Sequence, residues 1–263
     1  MHSNVYVNGK MIVRIDAPIA ASSGVLYGKG VFTTVRIEGG RPFLIEKHLR
    51  RLQANAHAVG LASVEDAAIE AGLEAVTAAN KVTSGRARIT LLDASESSIW
   101  GGSGTPATEL HIITGDLRPV PGELRLGVSP FAVNSASPLA GIKSCNYLEN
   151  LLAAEEARGR GFHEAVWLNE RGEVVSGAMS NIFWLREGLF FTPSLQTGCL
   201  PGTVRELIIE NLECREVVKG IGELESAEAI FLTSSGIGIR PVAEFAGRRL
   251  PAVSHPVLGL WPF

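Results

Sequence analysis

From Val5 to Val13 the chain reads "VYVNGKMIV", two β-rich arms about an Asn8-Gly9 pair. "VFTTVRIEGGRPFLI", from Val31 to Ile45, repeats the device with Gly39-Gly40. Asn-Gly and Gly-Gly supply the positive φ angles that a two-residue hairpin requires, so two hairpins are predicted at the start of the chain. The period then lengthens. "IEKHLRRLQANAHAV" places Ile45, Leu49, Leu52 and Ala56 on one face and ends at Gly60, and "SVEDAAIEAGLEAVTAAN" follows with Ser63 as its predicted N-cap. Both stretches are predicted as amphipathic helices. Strands are predicted at "RARITLL" and "ELHIITG". They flank "DASESSIWGGSGTPAT", whose Gly and Ser content predicts a mobile loop able to border a site. "GDLRPVPGE", from Gly115 to Glu123, concentrates Pro and Gly and is the best interdomain linker. It divides the chain into residues 1–118 and 119–263. The second part reads strand, helix, hairpin, helix, strand, strand, and no repeat of fixed period is present.

Composition narrows the classes. The 263 residues are 46% hydrophobic, with 29 glycines and a net charge of −3, which is enough to bury a full core. The near-neutral charge carries no Lys/Arg run, so neither nucleic acid nor an anionic membrane is an expected partner. "MHSNVYVNGKMIV" lacks the basic segment, apolar run and cleavage site of a secretory leader, which predicts a cytoplasmic protein. Cys145, Cys199 and Cys214 are odd in number and far apart, so no disulfide framework or zinc site follows. His48, His57, His111 and His163 show no paired metal spacing, and no metal is expected. "GGSG" at Gly101 lacks the βαβ setting of a dinucleotide fingerprint, and Ser22-Ser23 and Ser234-Ser235 form no nucleophile elbow.

One lysine stands out. Lys143 is one of six lysines among 24 basic residues and lies between "LAGI" and "SCNYL". Asn146 and Glu149 have capping-box spacing before "YLENLLAAEEA", where Leu148, Leu151 and Leu152 follow helical spacing. Lys143 is thus predicted at the entrance to a helix. A lysine in apolar surroundings has its pKa depressed, which frees a neutral amine to condense with an aldehyde. "LPGTVREL" predicts a turn opening onto a helix, with Gly202 allowing close approach and the amides of Thr203 and Val204 forming an anion cradle.

These pieces occur in a familiar order. "GVLYGKGVF", "HLRRL", "IKSCNYLENLLAAEEARGRGFHEAVWLNERGEVV", "SNIF", "TGCLPGTVRE" and "IFLTSSGIGIRPV" together resemble the class IV pyridoxal-phosphate aminotransferases. That group contains branched-chain aminotransferases, D-amino acid aminotransferases and 4-amino-4-deoxychorismate lyases. The resemblance implies fold type IV, a mixed α+β and α/β architecture. It consists of an N-terminal α/β domain and a C-terminal pseudo-barrel α/β domain, with pyridoxal 5'-phosphate between them. It further implies a homodimer acting on a small amino substrate. By this likeness Lys143 carries the cofactor and shuttles the proton, and Arg51 of the His-x-x-Arg-Leu pattern faces the phosphate while Arg50 is solvated. Ser235 and the amide of Gly236 match the last phosphate contact.

The chain also departs from the pattern. Ser176 stands where the family keeps a glutamate against the pyridine nitrogen, and strand alternation sends Glu173 to the opposite face. Thr33 replaces the acidic residue common after the aromatic of "GVF", and Asp93 occupies the place of the arginine that binds the substrate carboxylate in D-amino acid aminotransferases. "GIRPV" and "NYLENLLA" are more similar to the lyases. The resemblance therefore implies elimination of pyruvate from 4-amino-4-deoxychorismate. The alternatives are a branched-chain or D-amino acid aminotransferase, or a cofactor-binding homologue with reduced catalysis.

Overall fold

Both predicted hairpins close on left-handed residues: φ is +45° at Asn8 and +79° at Gly9, and +57° at Gly39 and +74° at Gly40. They belong to a computed structural model that describes residues 1–14, 22–95 and 106–263. Residues 96–105 of the predicted mobile loop, including Gly101, lie outside the described residues. The chain forms two compact units, residues 1–118 with 142–146, and residues 119–141 with 147–263.

In the first unit, β1 (Asn4–Val7), β2 (Lys10–Val13), β3 (Gly30–Glu38), β4 (Arg41–Pro42), β5 (Ser84–Asp93) and β6 (Thr108–Gly115) form one sheet. Their order is β2-β1-β6-β5-β3-β4, and every pairing is antiparallel. A short helix α1 (Ser23–Tyr27) precedes β3, and α2 (Ile45–Ala58) and α3 (Asp66–Ala79) separate β4 from β5. The two longer helices pack Leu49, Leu52, Ile69, Leu73 and Val76 against Val31, Val35 and Ile37 of β3 and Ala87, Ile89 and Leu91 of β5. The alternation along β3 is what aims those residues at the helices, while Phe32 and Thr34 point to the other face. α2 stops before Gly60 at φ +70°, as its sequence predicts. α3 instead begins after Glu65, with no side-chain cap bond, so Ser63 is not its N-cap.

Residues 142–146 group with the first unit although the linker lies upstream. The reason is backbone pairing. Val31 bridges Ser144, the amide of Phe32 donates to the Lys143 carbonyl at 2.9 Å, and the amide of Cys145 donates to the Gly30 carbonyl at 2.8 Å.

The second unit contains β7 (Leu124–Val133), α4 (Leu148–Gly159), β8 (Glu164–Asn169), β9 (Val174–Gly177), β10 (Asn181–Arg186), β11 (Leu189–Pro193), α5 (Thr203–Asn211), β12 (Arg215–Val217), α6 (Gly222–Glu225), β13 (Ala229–Ser234), β14 (Gly238–Phe245) and β15 (Arg248–Arg249). The sheet order is β12-β11-β10-β13-β14-β7-β8-β9, with β15 beside β14. β7 is parallel to both β8 and β14, and β11 is parallel to β12, so the sheet is mixed. The sequence reading has one hairpin between its helices, whereas the structure has two, β8–β9 and β10–β11. Leu126, Val166, Trp184, Leu232 and Phe245 anchor its main core.

α4 overturns one expectation. It begins after Tyr147 without a side-chain cap, because Asn146 donates to the Gly28 carbonyl at 3.1 Å instead of closing a capping box. Its buried face is Ala153, Ala154 and Ala157, and Leu148, Leu151 and Leu152 are exposed.

Candidate active site

The first unit gathers two cations around one ring. Lys143 Nζ lies 4.5 Å from the centre of the Phe32 ring, and the guanidinium carbon of Arg88 lies 3.5 Å from it. β3 supplies Phe32, the adjacent strand β5 supplies Arg88, and the segment paired to the edge of β3 supplies Lys143. Burial, then the charges of Arg51 and Arg88, lower the Lys143 amine from 10.5 to about 7. A substantial fraction of the amine is therefore neutral near neutral pH, as a group that condenses with an aldehyde requires. Arg88 also donates to Thr90 Oγ1 at 3.2 Å and approaches Cys145 Sγ at 3.9 Å. Burial pushes the Cys145 thiol up.

α2 brings a second group to the same unit. His48 and Arg51, one turn apart, both reach Thr33: Thr33 Oγ1 lies 2.6 Å from His48 Nδ1 and accepts from Arg51 Nη2 at 2.9 Å. Burial first, then Arg51 and Lys143, hold the His48 pKa well below 6.5, so its ring is neutral. Asp93 is committed elsewhere. Burial raises its pKa, but Lys29 at 2.7 Å and the bonds from Ser95 outweigh this and hold the carboxyl below its usual value.

In the second unit, Gly202 caps α5 and the amides of Thr203 and Val204 open its first turn. A Cβ on Gly202 would lie 1.9 Å from Asn181 Oδ1, so only glycine fits this close approach. Asn181 is held by donating to the Leu200 carbonyl at 2.8 Å. Thr203 and Ser235, 32 residues apart, bring their hydroxyls within 3.3 Å, so the end of β13 meets the start of α5. Gly236 follows, with open space within 3.8 Å of its own Cβ position. Hydroxyls and helix-terminal amides around a glycine-only approach fit a phosphate.

Ser176 is buried and lies opposite Trp167 on β8. A bulge between Trp167 and Leu168 interrupts the alternation on β9 that separates positions 173 and 176. Glu173 is unavailable for a different reason: its carboxylate is taken by Arg171 and Asn169, which lower its pKa. Glu164 is the other nearby carboxyl. Its Oε1 accepts from the amides of Ala165 at 3.3 Å and Met179 at 3.2 Å, and its Oε2 from Ser180 Oγ at 3.4 Å. Burial raises its pKa to about 7.

Lys143, Arg51, Ser176, Gly202, Thr203, Val204, Ser235 and Gly236 are the site residues expected from the sequence. The structure groups Lys143 and Arg51 in the first unit, and Gly202 to Val204 with Ser235 in the second. It adds Phe32, Arg88, and the Thr33–His48 pair. The signals for these were an arginine in "RARITLL" and a threonine at an apolar strand position.

The profile of the Amino-transferase class IV family matches residues 30–245. The chain is 31% identical over 249 residues to the aminodeoxychorismate lyase of Bacillus subtilis, covering 90% of this chain and 85% of that protein. It is 28% identical over 257 residues to a putative branched-chain-amino-acid aminotransferase of Methanocaldococcus jannaschii, covering 93% and 88%. The fold is similar to that of the branched-chain aminotransferase of Thermoproteus uzoniensis solved with norvaline, with a TM-score of 0.91, 25% identity and 99% and 92% coverage. With the family model spanning most of its length, the chain belongs to the class IV aminotransferase family, has fold type IV, and is an enzyme whose cofactor is pyridoxal 5'-phosphate.

Proposed function

We propose that the enzyme is a lyase that releases pyruvate from 4-amino-4-deoxychorismate and leaves 4-aminobenzoate. The observation that carries this reading is the buried serine at position 176, with both neighbouring carboxyls committed to other partners. A hydroxyl there leaves a pyridine nitrogen largely unprotonated and the ring a weaker electron sink. Elimination tolerates this. It removes one proton from the carbon bearing the substrate amine, breaks the C–O bond to the enolpyruvyl group and leaves an aromatic ring, with no protonation on the cofactor. The likeness to the Bacillus subtilis lyase supports the same reading.

When bound, the cofactor supplies an aldehyde for amines and a ring that withdraws electrons. Lys143 would hold it through its amine. With a pKa of about 7, its amine would be able to take the proton from the substrate carbon that bears the amino group. Arg51 offers its guanidinium to the phosphate, as do the amides of Thr203, Val204 and Gly236 and the hydroxyls of Thr203 and Ser235. Gly202 keeps the approach open, and Ser176 would face the ring nitrogen. The exposed Leu148, Leu151 and Leu152 support a homodimer, because an apolar stripe of this kind marks an interface.

A branched-chain or D-amino acid aminotransferase is the second reading, favoured by the 28% identity to the Methanocaldococcus jannaschii protein. Product analysis separates the two. The holoenzyme is incubated with aminodeoxychorismate, and separately with amino donors plus 2-oxoglutarate. Pyruvate from the first alone is the expected result, glutamate from the second establishes the aminotransferase, and no product from either establishes a homologue with reduced catalysis.

A further inference from the structure

Arg205 is a cation in the first turn of α5, where the helix dipole disfavours positive charge, yet it is only 5% exposed. A buried guanidinium is costly unless its donors are engaged. Its Nη2 donates to the Pro193 carbonyl at 2.9 Å and to the Glu216 carboxylate. Pro193 ends β11, and Glu216 lies on β12, which pairs with β11 in parallel. The Arg205 Cβ also lies 3.5 Å from the position that a Cβ on Gly202 would take.

These contacts close a loop at its base. Residues 194–202 lead from β11 into α5, and Arg205 joins the strand residue before the loop to the helix turn after it. Within the loop, Thr197 Oγ1 donates to the Ser194 carbonyl at 2.8 Å, and Asn181, at the start of β10, donates to the Leu200 carbonyl at 2.8 Å. The turn at Gly202 is thus anchored to β10 on one side and to β11 and β12 on the other. β13 pairs with β10, so the sheet that anchors the turn also carries Ser235, whose hydroxyl is 3.3 Å from that of Thr203. We infer that Arg205 is a positioning residue: its anchor to Pro193 and Glu216 fixes the start of α5, so that the amides of Thr203 and Val204 stand ready for the phosphate before it binds. The inference rests on the reading that this turn holds the cofactor phosphate. Amides fixed beforehand bind an anion without an ordering cost, so the anchor acts on affinity for the phosphate group rather than for the ring.

The test uses the full chain freed of cofactor by dialysis. It is titrated by fluorescence quenching with pyridoxal phosphate and, in parallel, with pyridoxal, which lacks the phosphate. Arg205→Ala should raise the dissociation constant of pyridoxal phosphate about tenfold or more and that of pyridoxal by less than about twofold. Arg205→Lys should restore native affinity to within about threefold, because both bonds leave from one nitrogen and an ammonium gathers its donors on one atom. Glu216→Gln, which keeps an acceptor on a half-exposed partner, should stay within about twofold. Equal weakening of both ligands in Arg205→Ala would reduce Arg205 to a structural role and overturn the inference. Native affinity for pyridoxal phosphate in Arg205→Ala, with Gly202→Ala weakened, overturns the anchor alone. Native affinity in Gly202→Ala overturns the phosphate reading itself. If Arg205→Ala fails to fold, the native apoprotein decides. Its amide order parameters at Thr203 and Val204 should match those in the middle of α5, and a turn that orders only on addition of pyridoxal phosphate refutes the inference.

Discussion

Replacing Glu164 by Gln should make the protein more stable at alkaline pH and leave it unchanged in acid. The side chain is 9% exposed, and its two oxygens have different partners. Oε1 takes the amides of Ala165 and Met179, and Oε2 meets the Ser180 hydroxyl. A glutamine reproduces this set, its carbonyl keeping both amides and its NH₂ donating to a Ser180 oxygen that turns to accept. It is thus a permanent copy of the protonated acid. Burial raises the carboxyl from 4.5 to about 7. The sign follows from proton uptake: between those values the folded protein binds the proton that the unfolded chain has lost, so native stability falls as pH rises through the window. Below 4.5 both states are protonated and no penalty exists, and above about 7 it is complete. At 1.36 kcal/mol per pH unit the ceiling is about 3 kcal/mol, and relaxation around a charged carboxylate brings the expected gain to about 1–3 kcal/mol. Urea unfolding followed by tryptophan fluorescence reads the relevant unit, since Trp167, Trp184 and Trp261 all belong to it. Stability curves for native protein and Glu164→Gln should coincide at pH 4 and separate by pH 8. Parallel curves would refute the reasoning.

The remaining predictions concern the site and the assembly. Ser176→Glu should protonate the pyridine nitrogen and raise the half-reaction with amino acids relative to pyruvate release; a product ratio equal to native would show that position 176 does not govern the ring. Gly202→Ala forces a methyl into Asn181 Oδ1, so the variant should lose about 1–3 kcal/mol of stability and bind pyridoxal phosphate at least about tenfold more weakly. Equal affinity by equilibrium dialysis would remove this turn from the phosphate site. Leu151→Glu should convert a dimer to a monomer in sedimentation velocity, because it places a charge in the exposed stripe of α4. A native protein that already sediments as a monomer would reject the dimer.

Features set by adjacent residues were legible in the sequence. Asn8-Gly9 and Gly39-Gly40 announced their hairpins because few residues accept positive φ, and Leu49, Leu52 and Ala56 announced the buried face of α2. α4 shows the limit of periodicity. Spacing finds an apolar stripe without saying what covers it, and here small alanines pack inward while the leucines stay outside. Asn146 had cap spacing, but the Gly28 carbonyl is its partner, more than a hundred residues away in sequence. The same distance problem hid the surroundings of Lys143. Its depressed amine could be foreseen from "LAGI" and "SCNYL", whereas Phe32 and Arg88 reach it through the pairing of residues 143–145 with β3. The turn at Gly202 was legible, and its meeting with Ser235 required the placement of β13 beside α5.

The central claim is that Lys143 carries the cofactor, and borohydride reduction of the holoenzyme followed by peptide mapping tests it most directly. The chain has six lysines, so the assignment is a clear choice. The account predicts a single phosphopyridoxyl adduct on the peptide containing Lys143, with its absorbance lost in Lys143→Ala. An adduct on Lys10, Lys29, Lys47, Lys81 or Lys219, or none after saturation with pyridoxal phosphate, would contradict it.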